Sequence, residues 1–159
     1  MQGESVQIRG GDTVQVIVFN LGDERYGVDI SQVREIIRPS QITRIPNAPD
    51  YVEGVINLRG QITTIINLRK RFGMESKPID NNTRIIVVEF DNAVIGMMVD
   101  TVNEVKYLST ADIEDLPSII TAREEAKFLK GVGKLPDGLL IMIDLNKVLS
   151  EDEVERFRG

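Results

Sequence analysis

Apolar and polar residues alternate at the start of residues 14–21 (VQVIVFNL), and the run stops at Gly22 and Asp23, the punctuation of a tight turn. A strand is expected there, returning through residues 25–30. The same arrangement recurs three times. Residues 83–90 and 93–99 flank Asp91 and Asn92, residues 54–58 and 61–67 flank Arg59 and Gly60, and residues 129–135 and 139–144 flank Pro136, Asp137 and Gly138. Four hairpins are therefore expected. Helical signals are short by comparison. Residues 67–72 end in cations before Gly73, a left-handed terminator. Thr121 is placed to cap residues 122–128, with Glu124 at the third helical position. Ser150 is placed to cap a C-terminal helix over residues 151–158.

The hairpins are related to one another. Residues 16–37 laid on 85–106 without a gap match Val18 with Val87, Gly27 with Gly96, Val33 with Val102 and Glu35 with Glu104. Residues 54–72 laid on 131–149 match Gly54 with Gly131, Leu58 with Leu135, Ile66 with Ile143, Leu68 with Leu145 and Lys70 with Lys147. The offsets are 69 and 77, so a loop insertion in the second half accounts for the difference. Two similar lobes are expected, over residues 14–80 and 83–150, with an N-terminal segment 1–13, a C-terminal helix or tail 151–159, and room for the lobes to exchange strands. A lobe of about 65 residues hides only about 60% of its surface, so the two are expected to pack together. The expected class is all-β: two five-stranded, SH3-like closed barrels with a few short helices, closure being one way to remove sheet edges.

Composition agrees. The chain has 20 Ile and 17 Val against 11 Leu and 5 Ala, an excess of β-branched residues that suits strands. It has no cysteine, which removes disulfides and thiolate metal sites, and no histidine, which removes imidazole bases, phosphohistidine and His-based triads. Lys and Arg total 19 against 25 for Asp and Glu, a net charge of −6, and only eight aromatics are present. Both argue against a small-barrel nucleic-acid binder, which needs a basic groove and stacking platforms. Residues 1–12 carry no apolar targeting core, and the longest aliphatic run, 139–143, is far shorter than the ~20 residues that span a bilayer. A soluble cytoplasmic protein is expected.

Candidate chemistry is sparse. Asp112, Glu114 and Asp115, then Glu124 and Glu125, then residues 151–155 form acidic clusters without EF-hand spacing, and they read as loops and solvated helix starts. A carboxylate-pair hydrolase would need two of them to converge. Arg69, Lys70 and Arg71 read as cations completing a short helix. Residues 131–133 (GVG) lack the spacing of a phosphate-binding loop. No enzyme activity, cofactor or metal is expected.

One segment carries a specific signal. Residues 54–73 (GVINLRGQITTIINLRKRFG) closely resemble the signature of the CheW family of chemotaxis coupling proteins. The likeness extends through residues 19–30 (FNLGDERYGVDI), 33–39 (VREIIRP), 42–49 (ITRIPNAP), 83–88 (TRIIVV), 96–100 (GMMVD) and 139–145 (LLIMIDL), in the family's order and over almost the whole chain. Thr63, Thr64 and Asn67 depart from it, where the family often has proline, valine or leucine and then aspartate. The same fold occurs as the regulatory domain of the CheA histidine kinase and in CheV. A free-standing coupler fits this length better than either, and a detached kinase regulatory domain is the nearest alternative.

The resemblance implies a non-catalytic adaptor in the cytoplasm, recruited to membrane-bound receptor arrays without inserting into the membrane. It would join the CheA regulatory domain to the cytoplasmic tip of methyl-accepting chemotaxis receptors. By family correspondence, receptor contacts fall on Val33, Glu35, Ile36, Gly54, Arg59, Val102 and Val105, and kinase contacts on Ile42, Thr43, Leu116 and Ile119. Val33 and Val102 fit a plain core role equally well.

Overall fold

The computed structural model describes residues 12–90, 92–116 and 127–149. Most of the expected N-terminal segment, Ile119, the start of the helix expected after Thr121 and the helix expected after Ser150 fall outside the described residues. In chain order the strands are β1 (Thr13–Leu21), β2 (Glu24–Asp29), β3 (Val33–Ile37), β4 (Val52–Leu58), β5 (Gln61–Asn67), β6 (Arg84–Phe90), β7 (Ala93–Val99), β8 (Thr101–Ser109), β9 (Ile113–Glu114), β10 (Leu129–Leu135) and β11 (Gly138–Ile143). One-turn helices α1 (Leu68–Arg71) and α2 (Leu145–Val148) follow β5 and β11. The expected hairpins and the first short helix are present within two residues of their sequence bounds. Gly73 ends α1 with φ of +79° and donates to the Lys70 carbonyl at 3.1 Å.

The strands form one sheet ordered β9-β10-β11-β2-β1-β8 and another ordered β3-β6-β7-β5-β4. Neither sheet is closed among the described residues, which corrects the expected barrels to open sheets of six and five strands. Edges are managed in other ways. Thr43 pairs with Val55 on the outer side of β4, and the outer strand β8 carries Asn103, Glu104 and Lys106.

Each sheet takes strands from both halves of the chain. Hairpin β1-β2 joins second-half strands through the parallel pair Ile141 with Tyr26 and the antiparallel β1-β8 ladder. Hairpin β6-β7 joins first-half strands through the parallel pair Thr64 with Ile95 and through β3. The two parallel joins are the same join displaced by the sequence offsets of 69 and 77. Gly27 faces Met142 as Gly96 faces Ile65. A Cβ on Gly27 would meet the Leu140 side chain at 2.9 Å and one on Gly96 would meet the Ile65 side chain at 2.6 Å, so a side chain at either join would force its neighbour to shift.

Both faces of the inner strands are buried. Ile17, Phe19 and Leu21 of β1 and Ile86 and Val88 of β6 enter one central cluster between the sheets. Val16 and Val18 pack with Leu140 and Met142, and Ile85 and Val87 with Ile56 and Ile65, in two outer clusters. Burial on both faces explains why β1 begins as an alternation and becomes an unbroken apolar run. Each such side chain contributes roughly 1.5–3 kcal/mol on burial.

Outer strands change clusters through bulges. Register slips by one residue between Val33 and Glu35, and at the matching place opposite Val102 and Glu104. Val33 therefore packs on the central cluster while Ile37, four residues on, packs on an outer one.

The sheet junction is aromatic. Phe19, Tyr26, Phe72 and Phe128 form a chain of rings with successive centroids 5.8, 5.7 and 5.3 Å apart. The Arg71 guanidinium lies 4.3 Å from the Tyr51 ring centroid and 5.1 Å from that of Phe128, and its Nε donates to the Val148 carbonyl at 2.6 Å. Asn67 caps α1, accepting from the Lys70 N–H, and its amide donates to Glu53 at 3.1 Å. That second bond explains an asparagine where Asp144 caps the matching helix. Asn67→Asp is expected to keep the cap but to set two carboxylates side by side, costing about 1–2 kcal/mol in a thermal or chemical melt. Adding Glu53→Gln is expected to recover most of the loss.

Candidate functional site

Arg59 and Gly60 form the β4-β5 turn, both with positive φ, +50° and +87°, and the Asn57 side chain accepts from the Gly60 N–H at 2.8 Å. Asparagine or glycine is the usual choice at such a position, and an arginine there stores about 1–2 kcal/mol of backbone strain. Its side chain reaches across the sheet from the β4 end to Glu35 on the opposite edge strand. Nη1 donates to Oε1 at 3.1 Å, and Nη2 donates to Oε2. The pair spans a depression of about 170 Å³ lined by Arg34, Glu35, Leu58, Arg59, Val87 and Val94. Arg59 is 68% exposed, so its charge is available to a partner.

The remaining residues assigned to the receptor divide by burial. Ile36 on β3 and Val105 on β8 are matched positions in the repeat, and they expose 38% and 44% of their surface. Val33 and Val102 are half-buried against the central cluster, which fits the core role. Gly54 is buried, and a Cβ there would lie 2.3 Å from the Thr43 carbonyl oxygen. It shapes β4 and has no side chain to offer.

Of the residues assigned to the kinase, Ile42 and Thr43 lie along the outer strand β4, and Ile119 is outside the described residues. Ile42 packs on the outer cluster that contains Ile56, and Thr43 exchanges hydrogen bonds with Val55 at 2.9 and 2.8 Å. In the other sheet Ile113 and Glu114 occupy the matching place on β10, Glu114 facing Val132. The structural counterpart of Ile42 and Thr43 is thus the pair just before the expected region, and Leu116 lies two residues beyond it, half-buried. Sequence reasoning missed Ile62 and Leu139, which are 70% and 63% exposed. They are matched at the offset of 77, so the repeat could have found them. Ile62 shares a depression of about 380 Å³ with Gln41, Thr43 and Val55.

Arg69 and Arg71 do more than complete a helix. Arg69 donates through Nε and Nη2 to the two Asp100 oxygens at 2.8 and 2.7 Å and through Nη1 to the Glu75 carbonyl at 2.8 Å. Asp100 also accepts the Gly22 N–H at 2.8 Å. Burial pushes the Asp100 carboxyl up, but the Arg69 hydrogen bond, the Gly22 N–H and the guanidinium charge outweigh it, leaving its pKa below the ordinary aspartate value. The stabilisation it supplies is therefore complete above pH about 3.9 and is lost as the pH falls through the lowered folded value.

Other described acids are also engaged. Glu114 pairs with Lys134 at 2.6 Å and Asp137 with Arg25 at 3.3 Å. Among the described residues no group of three or more acids is placed to hold a metal ion, and no helix is long and apolar enough to cross a membrane.

Two interleaved β-sheets, a charged turn and matched exposed aliphatics at edges and ends define a β-scaffold of the kind that offers surfaces to other proteins. Residues 15–153 match the family model of the CheW-like domain. The chain is 42% identical over 147 residues to the chemotaxis protein CheW of Klebsiella aerogenes, covering 91% of this chain and 87% of that protein. It is 33% identical over 146 residues to the CheW of Treponema pallidum, covering 89% and 85%. Among solved structures, the scaffolding protein TtCheW from Thermoanaerobacter tengcongensis superposes with a TM-score of 0.81 at 35% identity, covering 89% of this chain and 96% of that one. The chain belongs to the CheW family of chemotaxis coupling adaptors.

Proposed function

We propose that this chain binds the cytoplasmic tip of a methyl-accepting chemotaxis receptor and the regulatory domain of CheA at the same time, through separate faces, so that receptor state reaches the kinase. Binding and not chemistry is its task, and it works in the cytoplasm at receptor arrays. The observation that carries the receptor face is the strained, exposed Arg59 held by Glu35 over a depression lined by Leu58, Val87 and Val94. A receptor tip is a helical hairpin, and an apolar stripe beside a charge that can bind a carboxylate or a helix-end carbonyl suits it. Ile62, beside Thr43, and its repeat counterpart Leu139 on β11 support a kinase face. A surface of 9002 Å² holds two patches of about 800 Å² each without overlap.

The two faces are separable by substitution. Leu139→Asp is expected to weaken co-sedimentation with the CheA regulatory domain by about tenfold, the loss of one well-packed anchor, while leaving receptor-tip binding unchanged. Equal loss of both, or of neither, would argue against separate faces.

A further inference from the structure

The fold is duplicated, but one feature of it is not. Asp100 lies where the chain passes from β7 in the five-stranded sheet to β8 in the six-stranded one. It gathers the Gly22 N–H from the β1-β2 turn of one sheet and the Arg69 guanidinium from α1 of the other. Both side chains are largely buried, at 12% and 17% exposure, so these charge-assisted bonds are poorly screened. The Asp100 N–H donates to the Asn20 carbonyl at 3.1 Å, adding a second tie to β1.

At the other crossover, from β2 to β3, the offset of 69 puts Ser31 in the place of Asp100, and the offset of 77 puts Asn146 in the place of Arg69. Neither carries a charge. The Ser31 N–H is taken by Asp29 at 2.9 Å and the Asn146 N–H by Asp144 at 3.0 Å, both local bonds within a turn or cap. Among the described residues the β2-β3 crossover thus shows no ion pair at the matching positions, so the topology alone does not require one at β7-β8.

The clamped crossover leads straight into β8. Val105, the exposed part of the proposed receptor face on the six-stranded sheet, follows Asp100 by five residues, whereas Ile36, Glu35 and Arg59 belong to the five-stranded sheet. We propose that Asp100 and Arg69 are positioning residues for coupling: by tying the β1-β2 turn, the β7-β8 crossover and α1 together, they fix the angle between the sheets and hence the relation between the two halves of the receptor face and the kinase face. This rests on the adaptor reading above. Removing the clamp leaves each face present and loosens their mutual orientation, so coupling falls before binding does.

The chain has no cysteine, so Ile62→Cys with Leu139→Cys places one spin label on each sheet at exposed, matched sites. A narrow distance distribution is expected for the otherwise native chain and a broadened or displaced one with Asp100→Asn, which preserves shape and removes charge. Arg69→Gln is the second variant should the first fail to fold. Ile95→Val, a methyl deletion in the central cluster, is the stability control and is expected to leave the distribution narrow. In unlabelled protein, Asp100→Asn is expected to bind receptor tip and CheA regulatory domain separately with losses of no more than about twofold, while the receptor-dependent change in kinase activity falls about fivefold or more. An unchanged distance distribution, an unchanged kinase response, or a loss of response matched by the stability control would each overturn the proposal. If the native chain itself does not couple receptor to kinase, the adaptor reading fails instead, and the label distances still decide whether the clamp sets the sheet angle.

Discussion

Arg59→Glu is expected to leave both sheets folded and to weaken association with a receptor tip by about tenfold or more. The two halves of that expectation have different causes. Arg59 is exposed on a turn, and its pair with Glu35 is of the surface kind that contributes about 0–1 kcal/mol to stability, so melting should change little. Partner binding desolvates the same charge. Reversal then places a carboxylate beside Glu35 and opposite whatever acceptor the receptor offers, a repulsion that water no longer screens. Titration of the variant against a receptor cytoplasmic fragment, with circular dichroism for fold, checks both halves. A folded variant that binds as well as the native chain would remove Arg59 from the face.

The largest expected effect on folding comes from separating the two sequence halves. Within residues 12–81 the ladders are confined to hairpins β1-β2 and β4-β5, and within 82–149 the described ladders are β6-β7 and β10-β11 with the short β9 beside it. Every ladder that joins a hairpin to a further long strand crosses the boundary between halves: β1 with β8, β2 with β11, β3 with β6 and β5 with β7. A lone hairpin is marginal in water. Residues 12–81 and 82–159, each expressed separately, are expected to show no cooperative thermal transition, and mixing them is expected to restore one. A cooperative transition in either piece alone would mean that the exchanged pairing is dispensable.

The hairpins were legible because their turns are marked by Gly22, Gly60, Asn92 and Gly138, all left-handed in the structure. The duplication was legible from spacing alone, and the ladders repeat it residue for residue. Pairing between halves was not, since alternation shows which face of a strand is apolar and says nothing about its neighbour. Bulges hid the roles of Val33 and Ile37, because a one-residue slip turns a strand over without leaving a mark in composition. Barrel closure was expected as the remedy for edges, whereas Thr43 covers one edge and polar residues line another. In the candidate site, the Arg59 turn was visible as a motif and the resemblance put Glu35 on the same face as a possible partner; the sheet brings their edges together and pairs them. Arg69 looked like an ordinary helix-end cation, since Asp100 lies 31 positions away.

Reconstitution of a receptor cytoplasmic fragment with CheA, in the presence and absence of this chain, tests the adaptor role most directly. CheA is expected to sediment with receptor, and its activity to follow the receptor's signalling state, only when the chain is present. Equal co-sedimentation and an equal kinase response without it would contradict that role.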